Sequence, residues 1–185
     1  MICHFDNNVL RGCFISVRYG SVILESPYNN TNDSAIGFLM RYQNYTNIDS
    51  TELINMLRNI ESAKNMVLAS GNLSLTIKNG EFPAGTKTTS FSWMYVYDDC
   101  EYTGLNLNFD NGTFAGFSDT RGLYKIGNTT VNVSMKQAVD IAKERIKNYT
   151  YAMPGGVWIG NFNVSGSSAE LLSGVREPYI LHPFW

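Results

Sequence analysis

The sequence is poor in charge. Only 16% of its 185 residues are Asp, Glu, Lys or Arg, against about 25% for an average soluble domain. With a net charge of −2 there is no basic excess of the kind that holds nucleic acid or an anionic membrane. Histidine is scarce as well, with His4 and His182 alone, and no Cys-x-x-Cys occurs. That leaves no zinc-type ligand set, and neither a metal nor a cofactor is expected. The three cysteines, Cys3, Cys13 and Cys100, are an odd number, so at least one is unpaired within the chain. No apolar run reaches the roughly 18 residues of a membrane span. The opening Met1-Ile2-Cys3-His4-Phe5-Asp6 lacks the basic start and apolar stretch of a signal peptide. If the chain is exported, the targeting segment is expected to lie outside it.

What is abundant is uncharged polarity. Asn, Ser and Thr number 20, 16 and 13. Hydrophobic residues are 44% and aromatics 13%, which supplies a core and excludes disorder as the main description. Asn-x-Ser/Thr, the N-glycosylation acceptor, begins at Asn29, Asn32, Asn44, Asn72, Asn111, Asn128, Asn132, Asn148 and Asn163. Composition alone would place roughly 3 such sites. The excess points to an extracellular or cell-surface protein, although Asn and Ser also gather at turns and helix caps without any sugar.

Periodicity sets the expected elements. Two short strands are predicted over Cys13–Leu24 with a turn at Gly20, then a loop over Ser26–Ser34. A helix is predicted over Ala35–Gln43, capped by Asp33 or Ser34. A second is predicted from Ser50 to Lys64, capped by Asp49 or Ser50, with Glu52 completing a capping box if Asp49 is the cap. Leu73, Leu75 and Ile77 then alternate with polar residues up to a turn at Asn79-Gly80. Phe91, Trp93, Tyr95 and Tyr97 alternate likewise, as do Leu105, Leu107 and Phe109. Asp110-Asn111-Gly112 turns the chain back into Thr113–Phe117. These four strands read as an antiparallel meander with one face for a core.

Ser134-Met135-Lys136-Gln137 is a Ser-x-x-Gln capping box. It opens a helix whose stripe is Ala138, Ile141, Ala142, Arg145 or Ile146, and Tyr149. Strand segments follow at Val157–Val164, Ala169–Val175 and Tyr179–Trp185. The expected fold class is α+β: two successive modules of helix packed on an antiparallel β-sheet. The segments are N-terminal strands and loop at 1–32, helices plus meander at 33–127, and a second, incomplete helix-and-strand module at 128–185. Ending on an aromatic strand without its partner suggests a polypeptide that continues past Trp185.

The run Asn132-Val133-Ser134-Met135-Lys136-Gln137-Ala138-Val139-Asp140-Ile141-Ala142-Lys143 resembles the opening of a PepSY domain, a Ser- or Thr-capped helix covered by a short antiparallel sheet. Over about residues 40–185 the order of segments is similar to uncharacterised secreted archaeal proteins with PepSY-like modules. The runs that carry this are Arg41–Tyr45, Lys64–Met66, Thr89–Tyr95, Leu123–Gly127 and Arg176–Tyr179. The resemblance implies a PepSY-like or cystatin-like helix-on-sheet fold and either a restraining or a binding role, with no catalytic residues.

The function expected is a non-enzymatic, extracellular or cell-surface binding or regulatory module whose partner is an extracellular protein or a peptidase. Phe91, Trp93, Tyr95 and Tyr97 are its candidate contact surface, set against their use as the sheet face beneath the helices. A peptidase-inhibitory propiece is the alternative. A cysteine-dependent enzyme would have to pair Cys3 or Cys13 with His4 or His182. Asp98 and Asp99 are expected in a solvated turn. Neither they with Glu101, nor Asp110 with Asn111, complete a calcium loop.

Overall fold

A computed structural model describes residues 2–6, 9–16, 31–82, 85–147, 151–153, 155, 157–159, 166–177 and 180–184. The architecture is mixed α+β. Strands β1 (Ile2–Asp6) and β2 (Val9–Ser16) precede helices α1 (Thr31–Thr46) and α2 (Thr51–Arg58). Then come β3 (Met66–Ser70), β4 (Leu73–Glu81), β5 (Lys87–Tyr97), β6 (Cys100–Asp110) and β7 (Thr113–Asp119). These seven strands form one antiparallel sheet in the order β1-β2-β7-β6-β5-β4-β3. The expected meander is therefore its centre, extended by β3 on one side and by the N-terminal hairpin on the other.

The period-2 pattern places the core. Leu75, Ile77, Phe91, Trp93, Leu105, Leu107 and Phe117 are buried on one face, against Ala35, Leu39 and Tyr42 of α1 and Leu53, Met56 and Leu57 of α2. Each large side chain so buried contributes about 1.5–3 kcal/mol. Phe38 reaches down from α1 to stack on Phe114, centroids 5.0 Å apart. A single register row, Leu68-Leu75-Trp93-Leu105-Asp119-Cys13-Cys3, crosses all seven strands.

The turns follow their residues. Asp98 and Asp99 have φ +48° and +60°, and Asn111 and Gly112 have +49° and +77°. Two positive φ values in a two-residue loop are what a type I′ hairpin requires. A register shift between Met94 and Val96 bulges the β5–β6 pair, and Gly104 sits where any Cβ would collide with the Trp93 carbonyl oxygen.

Several local expectations are corrected. Asn79-Gly80 is no turn: β4 runs through it. The Asn79 amide donates to the Ala63 carbonyl and accepts from Thr89 Oγ1, while Asn65 Oδ1 accepts from its backbone N–H. These partners are distant in sequence, so they override the dipeptide's turn preference. α2 stops at Arg58 instead of Lys64, and the chain ahead is drawn into β3 against β4. Ser50 caps α2 without a side-chain cap bond, and Glu52 accepts from Ser70 Oγ instead of closing a capping box. α1 starts four residues earlier than Ala35, at Thr31. In the N-terminal region the strands lie at Ile2–Asp6 and Val9–Ser16. The expected Gly20 turn lies outside the described residues.

Beyond β7 come β8 (Lys125–Ile126), α3 (Met135–Ile146), β9 (Tyr151–Met153), β10 (Val157–Ile159), β11 (Leu172–Glu177) and β12 (Ile180–Phe184). The capping box of α3 forms as expected, with Ser134 Oγ accepting from Gln137 N and Gln137 Oε1 accepting from Ser134 N. β9 and β10 pair as a hairpin. β11 and β12 are antiparallel, but β12 joins β8 in parallel, so this sheet is mixed rather than antiparallel. A small cluster of Cys100, Tyr102 and Leu181, with Tyr97, Tyr124 and Ile126 around it, packs where the C-terminal strands meet the start of β6. No residue of α3 is buried, so its apolar stripe does not pack into a core among the described residues.

Candidate functional site

The aromatic row is not a contact surface along its length. Phe91 and Trp93 are wholly buried, stacked 5.9 Å apart under the helices. Tyr95 is half-buried against the same core. Tyr97, also half-buried, meets Tyr102 edge-on at 5.7 Å in the second cluster. The physical reason is the pleat: alternate positions on β5 share one face, and α1 and α2 cover it.

The other face is the one left to solvent. Its register rows are Thr76-Ser92-Asn106-Ser118 and Lys78-Ser90-Asn108-Gly116. Asn106 Nδ2 donates to Ser118 Oγ at 3.4 Å. At one end the face dips into a groove of about 440 Å³ lined by Thr88, Ser90, Asn108, Asp110, Gly116 and Ser118, with Phe82 at the rim. Phe82 is 61% exposed. Gly116 leaves the floor low, and the hydroxyls and amides can both donate and accept. This is a hydrogen-bonding surface of hydroxyls and amides with one carboxylate, Asp110, and with one aromatic ring to cover it.

A second concavity, about 490 Å³, lies between α3 and the segment ahead of β11, lined by Ala138, Ala142, Ile146, Ala169 and Leu172 among others. It is the more apolar of the two.

A buried ion pair joins the sheet to α2. The Asp119 carboxylate, fully buried at the end of β7, accepts a two-point bond from Arg121, Nε to Oδ1 at 3.1 Å and Nη2 to Oδ2 at 2.8 Å. Arg121 goes on to donate to the Asp49 carbonyl at 2.8 Å and to Ser50 Oγ at 3.2 Å. The guanidinium so ties the start of α2 to the sheet, a fork geometry that lysine could not supply. Nothing local in sequence marks this clamp, since an Asp-x-Arg at a strand end has no pattern of its own. Close by, backbone and side-chain bonds from Thr51 hold the Asp49 carboxyl below its usual range.

Burial pushes the Cys100 thiol above its ordinary pKa. It pushes the Tyr102 phenol up to about 12, with the adjacent Cys100 adding to the effect. A thiol kept protonated is a poor nucleophile. Of the other thiol–histidine pairings, Cys3 stands opposite Cys13, while His4 stands opposite Gly12, one step along the strand and so on the other face. His182 belongs to β12, in a different sheet. Among the described residues, no group of three or more His, Cys, Asp or Glu could hold a metal. No helix is long and apolar enough to cross a membrane among them.

The glycosylation candidates fall into three sets. Asn44, Asn72, Asn111, Asn128 and Asn132 are exposed. Asn128 Oδ1 accepts from the N–H of Thr130, the third residue of its own acceptor triplet. Asn32 is buried, its Nδ2 donating to the Leu57 carbonyl at 3.1 Å, which closes it to a glycan on the folded chain. Asn29, Asn148 and Asn163 lie outside the described residues. Compared with known proteins, the chain matches no family model, no curated protein and no solved structure.

Proposed function

We propose that the chain is a non-enzymatic binding or regulatory module of an extracellular or cell-surface protein, and that the polar groove on the back of the seven-stranded sheet receives a segment of an extracellular protein. The observation that carries this reading is the groove itself: a concave patch of Ser, Thr and Asn side chains, with the single carboxylate of Asp110, beside the exposed ring of Phe82. An extended peptide brings backbone N–H and C=O groups that such side chains satisfy, and it needs no counter-charge. The exposure of five acceptor asparagines supports the extracellular half of the reading.

The test is a peptide-display selection on the immobilised chain, followed by titration of an enriched peptide. Saturable binding that Ser118→Trp abolishes, with the unfolding midpoint unchanged, is the expected result. Equal binding by Ser118→Trp would remove the groove from the account.

A further inference from the structure

We infer that Cys3 and Cys13 form a modification site: a cross-strand disulfide that closes the β1–β2 hairpin, leaving Cys100 as the free thiol. The backbone register carries it. Cys3 is the direct partner of Cys13, and the register shift in this pair falls later, between His4 and Phe5. Directly opposed residues of an antiparallel pair have Cα atoms about 4.5–5.5 Å apart, inside the roughly 4.4–6.8 Å span of disulfides. Cys100 is in no position to compete. It is wholly buried, opposite Tyr97 at the start of β6, whereas Cys13 stands opposite Asp119 of β7. Strand β1 forms one edge of the sheet, with β2 as its one neighbour, so a covalent tie to β2 holds the strand that lacks a second partner.

Closure oxidises two thiols. They release two protons and two electrons, one Sγ–Sγ bond forms, and a disulfide-bearing oxidant such as oxidised glutathione is reduced to two thiols. In the native setting this rests on the extracellular reading, because such oxidants prevail outside the cytosol.

The experiment uses the full chain purified from a reducing cytosol, equilibrated with a mixture of oxidised and reduced glutathione. It is then denatured, alkylated with iodoacetamide and mapped by mass spectrometry. The expected result is a loss of two hydrogens, a linked Cys3/Cys13 peptide pair and alkylation of Cys100 alone. In Cys13→Ser the linked pair vanishes and Cys3 is alkylated or carries glutathione. Alkylation of all three cysteines in the unsubstituted chain, separate glutathione adducts on Cys3 and Cys13, or a link to Cys100 would overturn the inference. A bond that forms in this buffer but is missing from chain recovered from its native setting would leave the disulfide standing and sink the extracellular reading.

Discussion

Helices α1 and α2 and helix α3 start from similar local signals and end in different places. Leu39, Leu53 and Leu57 are lost to solvent beneath a seven-stranded sheet, while Met135 and Ile141 on α3 stay about half exposed, at 54% and 50%. Yet α3 has the complete capping box and α2 has no side-chain cap bond at all. Caps decide where a helix begins. Burial of its apolar face decides how much the fold depends on it.

The sharpest break of that contrast is Trp93→Ala. It empties the centre of the buried face, with an expected loss of about 3–5 kcal/mol in urea unfolding. A loss under about 1 kcal/mol would mean that the helices do not seal the sheet. Asp119→Ala comes next. It strands the Arg121 guanidinium, whose side chain is only 8% exposed, and is expected to cost about 3 kcal/mol by the same measurement. Replacing both Asp119 and Arg121 with apolar residues should recover part of it.

Ser134→Ala removes the α3 cap, at about 1 kcal/mol. Because no α3 residue is fully buried among the described residues, the loss is expected in the hydrogen exchange of α3 amides and not in the main unfolding transition. Ile141→Ser is the smallest, within about 0.5 kcal/mol; a larger cost would show that α3 is covered after all.

A pH titration extends the comparison to the second cluster, around Cys100 and Tyr102. Tyr102 has its folded pKa raised above the ordinary 10.0 to about 12. The unfolded chain therefore ionises first, and stability falls as pH rises through that window, not below it. Tyrosinate absorbance should show a late-titrating component that shrinks in Tyr102→Phe, while the part that burial of Tyr95 also delays stays.

The alternating segments of β5 to β7, the Asn111-Gly112 turn and the α3 cap were legible because each is set by neighbours in sequence. Asn79-Gly80 misled because its side-chain partners, Asn65, Ala63 and Thr89, come from other segments. The end of α2 was illegible for the same reason: pairing of β3 with β4 decides it. For the site, periodicity found the row Phe91-Trp93-Tyr95-Tyr97 but not which face the helices would take. The polar positions that alternate with it, Ser90, Asn108 and Ser118, became the candidate surface. Parallel pairing of β8 with β12, across more than fifty residues of chain, leaves no local trace.

The most direct test maps amide chemical shifts of the labelled chain as the selected peptide is added. The account predicts the largest changes at Ser90, Asn108 and Ser118, on the back of the sheet. Changes centred instead on Ala138, Ala142 and Ile146 of α3 would contradict it.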